Sequence, residues 1–263
     1  MDEKLVTQIM NAVKERLSSM PSQSKVNNSK GDSMSKAIEF VGTAMGDTIG
    51  LVIANVDQSI LDQMKLDKKY RSIGIIGART GAGPQIMAAD EAVKATNTEI
   101  ISIELPRDTK GGAGHGCMII FGADDVSDAR RAVEVVLNDL DRTFGDVYVN
   151  DAGHIELQYT ARASYACNKA FGAPIGKAFG LCVGAPAAIG LVMADTAVKS
   201  ANVEVIGYAS PKENTSYSNE VILFISGDSG AVKQAVTAAR EIGCSLLSSL
   251  GEEPKSLTVP YIK

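Results

Sequence analysis

Apolar residues recur along this chain at two spacings, and the switches between them mark out its elements. Leu5, Val6, Ile9, Met10, Val13 and Leu17 fall at helical spacing, with Glu3, Lys4, Lys14, Glu15 and Arg16 on the rest of the cylinder. That pattern predicts an amphipathic helix within residues 1–20. Residues 21–36 hold little that could be buried and read as a flexible linker. A helix under about 20 residues is marginal alone in water, so it is expected to order on a partner. Further on, a helical pattern (84–97, and again 187–201) runs into an alternating strand (99–104, and 203–208). A polar loop follows (105–116, and 209–219), then an apolar strand (117–122, and 220–226). Each stretch closes with a helix: one from Asp125 carrying Ala129, Ala132, Val133 and Val136, the other from Asp228 carrying Val232, Val236, Ala239 and Ile242.

The two stretches are copies of each other. Residues 89–101, ADEAVKATNTEII, return as 194–206, ADTAVKSANVEVI, with eight of thirteen positions identical at an offset of 105. That offset is too long for a solenoid and suits a duplicated domain. The predicted organisation is two α+β units, 37–150 and 151–263, each a sheet with helices packed on it.

Composition narrows the function classes. A net charge of −5 with no basic stripe argues against a nucleic-acid or anionic-membrane partner. Residues 178–194 are uncharged, but they contain Gly180, Gly184, Pro186 and Gly190, and the matching stretch of the first copy contains Arg79 and Gln85. A buried strand, turn and helix fit better than a membrane span. Cys117, Cys167, Cys182 and Cys244 form no C-x-x-C pair, and the first residues lack a secretory apolar core, so a reducing cytoplasm is expected.

Candidate chemistry is sparse. The loop at 77–84, GARTGAGP, lies between a strand and a helix, where phosphate could bind, and Glu104 follows at a strand end. Its spacing is not G-x-G-x-x-G, however, and the second copy has Gly184-Ala185-Pro186 in its place. The two histidines, His115 and His154, have no partner at metal-ligand spacing. No metal, no cofactor and no catalytic group is expected. Asp124, Asp125 and Asp228 read as helix caps. Lys94 and Asn97, matched by Lys199 and Asn202, suit either helix C-termini or a surface that packs edge to edge.

The repeated A-D-x-A-V-K-x-x-N-x-E-[IV]-I, with SGDSGAV at 226–232, resembles the signature of the bacterial microcompartment shell domain. The strings at 39–44, 77–84, 106–112, 142–148, 153–163 and 260–262 resemble the tandem-domain shell proteins of propanediol-utilisation microcompartments. The resemblance implies circularly permuted, ferredoxin-like domains whose homotrimer is a flat pseudo-hexameric tile. On the same resemblance the tile would meet other shell proteins edge to edge in the cytoplasm and would not be an enzyme. It also implies polar pores that pass a diol or glycerol while an aldehyde is retained. The N-terminal extension, through Leu5, Ile9, Val13 and Leu17, would tie the shell to encapsulated diol-processing enzymes, and Met34 resembles an internal start. A diol pore needs neutral or acidic hydrogen-bonding groups that hold two hydroxyls without trapping them. The candidates are Arg79, Thr80, Glu104, Arg107, Asp108 and Lys110 from the first copy, and Ser210, Lys212, Glu213 and Asn214 from the second. The alternatives are the shell of an ethanol- or ethanolamine-type compartment, or a nucleotide- or small-molecule-binding α+β sensor.

Overall fold

The computed structural model describes residues 38–106, 116–215 and 218–263. The expected helix at 1–20 and linker at 21–36 lie outside the described residues, as do Arg107, Asp108 and Lys110. The first repeat opens on a hairpin, β1 (Ile38–Ala44) and β2 (Thr48–Ala54), and a short helix α1 (Gln58–Gln63). It continues through β3 (Ser72–Ala78), α2 (Gly83–Ala95), β4 (Glu99–Glu104), β5 (Cys117–Ala123) and α3 (Val126–Thr143). The second runs β6 (Val147–Asn150), β7 (Gly153–Thr160), α4 (Tyr165–Phe171), β8 (Ala178–Ala185), α5 (Ala187–Ser200), β9 (Val203–Ala209), β10 (Val221–Gly227) and α6 (Ser229–Ser248). A two-residue strand, β11 (Lys255–Ser256), ends it.

The sheets are ordered β1-β2-β3-β5-β4 and β11-β6-β7-β8-β10-β9, antiparallel throughout. With β3 counted as the first of four strands, β2-β3-β5-β4 reads 4-1-3-2, a ferredoxin-like sheet. Its fourth strand comes from the hairpin before the unit instead of from after it, which is the permuted connection. Two α+β units in tandem are therefore present. The second sheet takes its first strand from residues 147–150, ahead of the division expected at 150/151.

Each sheet packs one face on its two longer helices. Val52, Ile76, Ile119 and Phe121 meet Ile86, Val133, Val136 and Leu140 in the first repeat. Ile155, Leu157, Cys182, Leu223 and Ile225 meet Met193, Val232, Val236 and Leu247 in the second. Gly180 lets α6 approach the strand, since a Cβ there would lie 2.8 Å from Val236. Asp125 and Asp228 cap α3 and α6, accepting from Ser127 N (2.7 Å) and Gly230 N (2.9 Å). Asp124 is exposed and is not the capping residue, because the chain turns helical one position later.

Two buried carboxylates join the repeats. Asp90 on α2 accepts from the Ser164 N–H (3.0 Å), the Ser164 hydroxyl (2.9 Å) and the Cys167 N–H (3.0 Å), so it holds the start of α4 against the first repeat. Asp146, ahead of β6, accepts from Tyr261 N (2.8 Å), Ile262 N (2.9 Å) and Arg240 (3.0 Å).

Candidate functional site

The face of the second sheet that turns away from α5 and α6 is roofed by the first repeat, leaving a cleft of about 590 Å³. Strand alternation decides what lines it, because residues two apart share a face. Val147 and Val149 come from β6, His154 and Glu156 from β7, Leu181 and Val183 from β8, and Ile222 and Phe224 from β10. The register places Glu156 opposite Val183, which in turn lies opposite Ile222. The first repeat contributes Thr80–Gly83 from the turn into α2, Leu105 beyond β4, and Phe144 at the end of α3. Phe171 of α4 stacks on Phe179 and Phe224 at ring separations of 5.4 and 5.1 Å, giving an aromatic wall.

The polar part of the cleft is acidic. Glu156 is 8 % exposed and Glu220, just ahead of β10, is 2 % exposed. His154 Nε2 lies 3.7 Å from Glu220 Oε2. Burial lowers the affinity of that imidazole for a proton, so it is neutral at pH 7. Burial and the neighbouring Glu220 charge push the Glu156 carboxyl up to about 8, against a weaker opposing hydrogen bond from Gln158. Nucleophilic chemistry finds little support: burial pushes the Cys117 and Cys182 thiols up to about 12. Among the described residues no cluster of three or more metal-ligating side chains occurs, and no helix is long and apolar enough to cross a membrane.

The residues singled out from sequence are divided by this geometry. Thr80 and Asn214 line the cleft from opposite repeats. Asn214 has a left-handed backbone (φ 67°) and donates to Tyr208 O at 3.4 Å. Ser210 and Glu213 are spent on a turn, exchanging backbone hydrogen bonds of 2.7 and 2.9 Å, while Lys212 is exposed on it; none of the three lines the cleft. Arg79 and Glu104 are also exposed and off its wall, since β3 and β4 end before the chain turns inward at Thr80 and Leu105. Lys94 is tied to Asp90 (3.0 Å) and Glu91 (2.8 Å), whereas Lys199 pairs on the surface with Asp195 (2.7 Å). Asn97 and Asn202, just beyond these helices, are both exposed. Sequence reasoning missed His154, Glu156 and Glu220. The available signal was a histidine and a glutamate two apart, alternating with Ile155 and Leu157 of the core face.

Two α+β units with the same strand order around a four-stranded core, and a solute-sized cleft where they meet, make a duplicated domain. The BMC domain model matches residues 72–152 and 178–252, and the chain belongs to that family. It is 74% identical over 224 residues to "Bacterial microcompartment shell protein PduB" of Salmonella typhimurium (strain LT2), covering 85% of this chain and 83% of that protein. The crystal structure of a trimeric bacterial microcompartment shell protein PduB superposes with a TM-score of 0.82 at 58% identity, covering 85% of this chain and 99% of that one. The structure of EtuB from Clostridium kluyveri also gives 0.82, at 60% identity, covering 85% and 98%. The chain is a microcompartment shell protein, with a structural role and not an enzymatic one.

Proposed function

We propose that three copies of this chain close into a pseudo-hexameric tile of the shell of a propanediol- or glycerol-utilising microcompartment, and that the cleft is the diol's way through. The observation that carries the reading is an unequal use of equivalent faces. Inside one chain, the first repeat roofs the outer face of the second sheet, and α4 of the second repeat covers α2 of the first. The counterparts are more open: α1 covers Ile73 and Ile120 on the outer face of the first sheet but leaves Ile49 38 % exposed, and Leu191 and Val192 on α5 are 55 % and 42 % exposed. Repeating the internal contact between chains would cover both faces, and a heterologous contact of this kind generates a ring when the rotation closes. Three chains supply six repeats, in keeping with the trimeric relative.

Thr80 and Asn214 both line the cleft, and a hydroxyl and an amide can replace water around a diol, while the aromatic wall takes its carbons. Lys94, Asn97, Lys199 and Asn202 are tile-edge residues in this reading, and the segment 1–20 ties the tile to encapsulated enzymes. A second reading keeps the tile and changes the cargo to that of an ethanol- or ethanolamine-type compartment. The two solved relatives superpose equally well, at a TM-score of 0.82 each, so the fold supports both readings alike. Solution mass with electron microscopy tests the tile: about 83 kDa, three times 27.6 kDa, with flat sheets at high concentration is expected. A stable monomer or dimer that forms no sheets overturns it.

A further inference from the structure

Matching positions of α2 and α5 stand in opposite surroundings. Ile86, Met87 and Asp90 are buried in the first repeat, whereas their counterparts 105 positions on, Leu191, Val192 and Asp195, are exposed. The cover over the first set is α4 of the second repeat: Cys167 Sγ lies 3.6 Å from Met87 Sδ, and Ala166 joins the core of the first repeat. The matching helix of the first repeat is α1, placed ahead of β3 as α4 is ahead of β8. Its Leu61 packs inward on Ile73 and Ile120, while Ile60 beside it is 52 % exposed. One copy thus carries both halves of a contact that it makes once internally: an exposed apolar helix face, and an exposed apolar side chain to cover it.

The charges at the two joints differ. Ser164, at the start of α4, makes no capping bond with its own side chain. Asp90 caps that helix from the other repeat, accepting from the Ser164 and Cys167 N–H groups at 3.0 Å each. The helix α1 brings its own cap, since Asp57 accepts from Ser59 N at 2.9 Å. An Asp195 arriving at that helix start finds the donor taken and a second carboxylate facing it, which opposes association unless a cation stands between them. Lys199 is placed to be that cation: its Nζ is 2.7 Å from Asp195 Oδ2 and its side chain is 73 % exposed. An ammonium has three donors, so it can serve both carboxylates and keep one for a neighbouring tile.

Resting on the tile reading above, we propose that the occupant of the exposed face of α5 is α1 of a second copy. Ile60 of that copy seats on Leu191 and Val192, and Lys199 is shared between Asp195 and Asp57 of that copy. The joint inside the chain is held by a cap handed across the repeats, and the joint between chains by a bridging lysine, so charge controls assembly and not the pairing of repeats within one chain.

The experiment ties the two faces together chemically. Full-length protein carrying both Ile60→Cys and Val192→Cys, treated with a short bis-maleimide, should give linked dimers and trimers on a denaturing gel. Either cysteine alone should leave the pattern of treated wild type, whose own thiols are buried or half-buried. In analytical ultracentrifugation, Lys199→Gln should raise the concentration at which the trimer half dissociates by about tenfold. Asp57→Ser gives α1 the cap residue that α4 has; it should lower that concentration about threefold and shrink the effect of Lys199→Gln to less than about threefold.

A trimer by mass that yields no ladder beyond the single-cysteine variants places the contact elsewhere and leaves the tile standing. A Lys199→Gln loss of the same size in the Asp57→Ser background overturns the bridge, because the lysine would then not touch that carboxylate, and so does a looser Asp57→Ser trimer. A chain that stays monomeric removes the joint and the tile together.

Discussion

The outer faces of the two sheets began as the same surface and now differ in what they carry. Counting from Gly74 and Gly180, the strand glycines pressed against α3 and α6, Gly77 corresponds to Val183. Ile49 pairs with Gly77 as Glu156 pairs with Val183, so isoleucine stands in the first repeat where the second has a buried acid. The first sheet's face is apolar, with Leu61 of α1 packed among Val56, Ile73 and Ile120. The second's is aromatic and acidic and lies under a roof. Equivalent backbone thus serves two ends: one face is suited to stick, the other to hold a small polar guest. The helices differ in the same way. Asp90 is fully buried and engaged across the repeats, while its counterpart Asp195 is 57 % exposed in its side chain and holds only Lys199.

The largest expected effect comes from making the two faces alike. Ile49→Glu should leave the folded chain intact and weaken trimer assembly at least about 100-fold, because an unpaired charge would be buried between copies. Analytical ultracentrifugation over a dilution series reads this directly, and an unshifted dissociation curve would mean that Ile49 is not at an interface. Asp90→Ala should cost about 3 kcal/mol in urea unfolding, by leaving the Ser164 and Cys167 donors and Lys94 without their acceptor. Asp195→Ala should cost less than about 0.5 kcal/mol within the chain, as surface pairs usually do. Equal costs would erase the contrast between the helices.

The effect of Glu156→Gln depends on pH, from nothing in acid to a gain at neutrality. An acid raised from 4.5 to about 8 on folding binds more protons in the folded state between those values. Folding stability therefore declines as pH rises through that window, and the full penalty is present above about 8. The variant should gain nothing near pH 4 and about 2–3 kcal/mol at pH 7, at roughly 1.4 kcal/mol per pH unit less the cost of burying an amide. Denaturant titrations at several pH values check it; a gain independent of pH would locate the effect elsewhere.

The repeated half of each unit was legible from the residues because helix and strand periods change there without ambiguity. The long helices were found, α3 and α6 with their caps Asp125 and Asp228, and the strands at 99–104 and 117–122 to within a residue. The hairpins β1–β2 and β6–β7 were not, since the glycines at Gly42, Gly50 and Gly153 blur the strand period and four residues of β6 are too few to show one. The short helices α1 and α4 are likewise below the length at which a helical stripe can be recognised. Thr80 and Asn214 could be nominated because turns beside sheets collect polar side chains. Glu156 could not be ranked, since its chemistry depends on a roof that includes the Thr80–Gly83 turn, far away along the chain.

Carrying both faces in one polypeptide has a hereditary consequence. In a ring of identical single domains, every substitution is copied to all six positions, so a surface cannot be optimised for adhesion and for a guest at once. Here position 49 and position 156 are separate codons. A mutation at one leaves the other untouched, and in the tile proposed above the lowering of symmetry from six to three would let an adhesive face and a passage evolve apart.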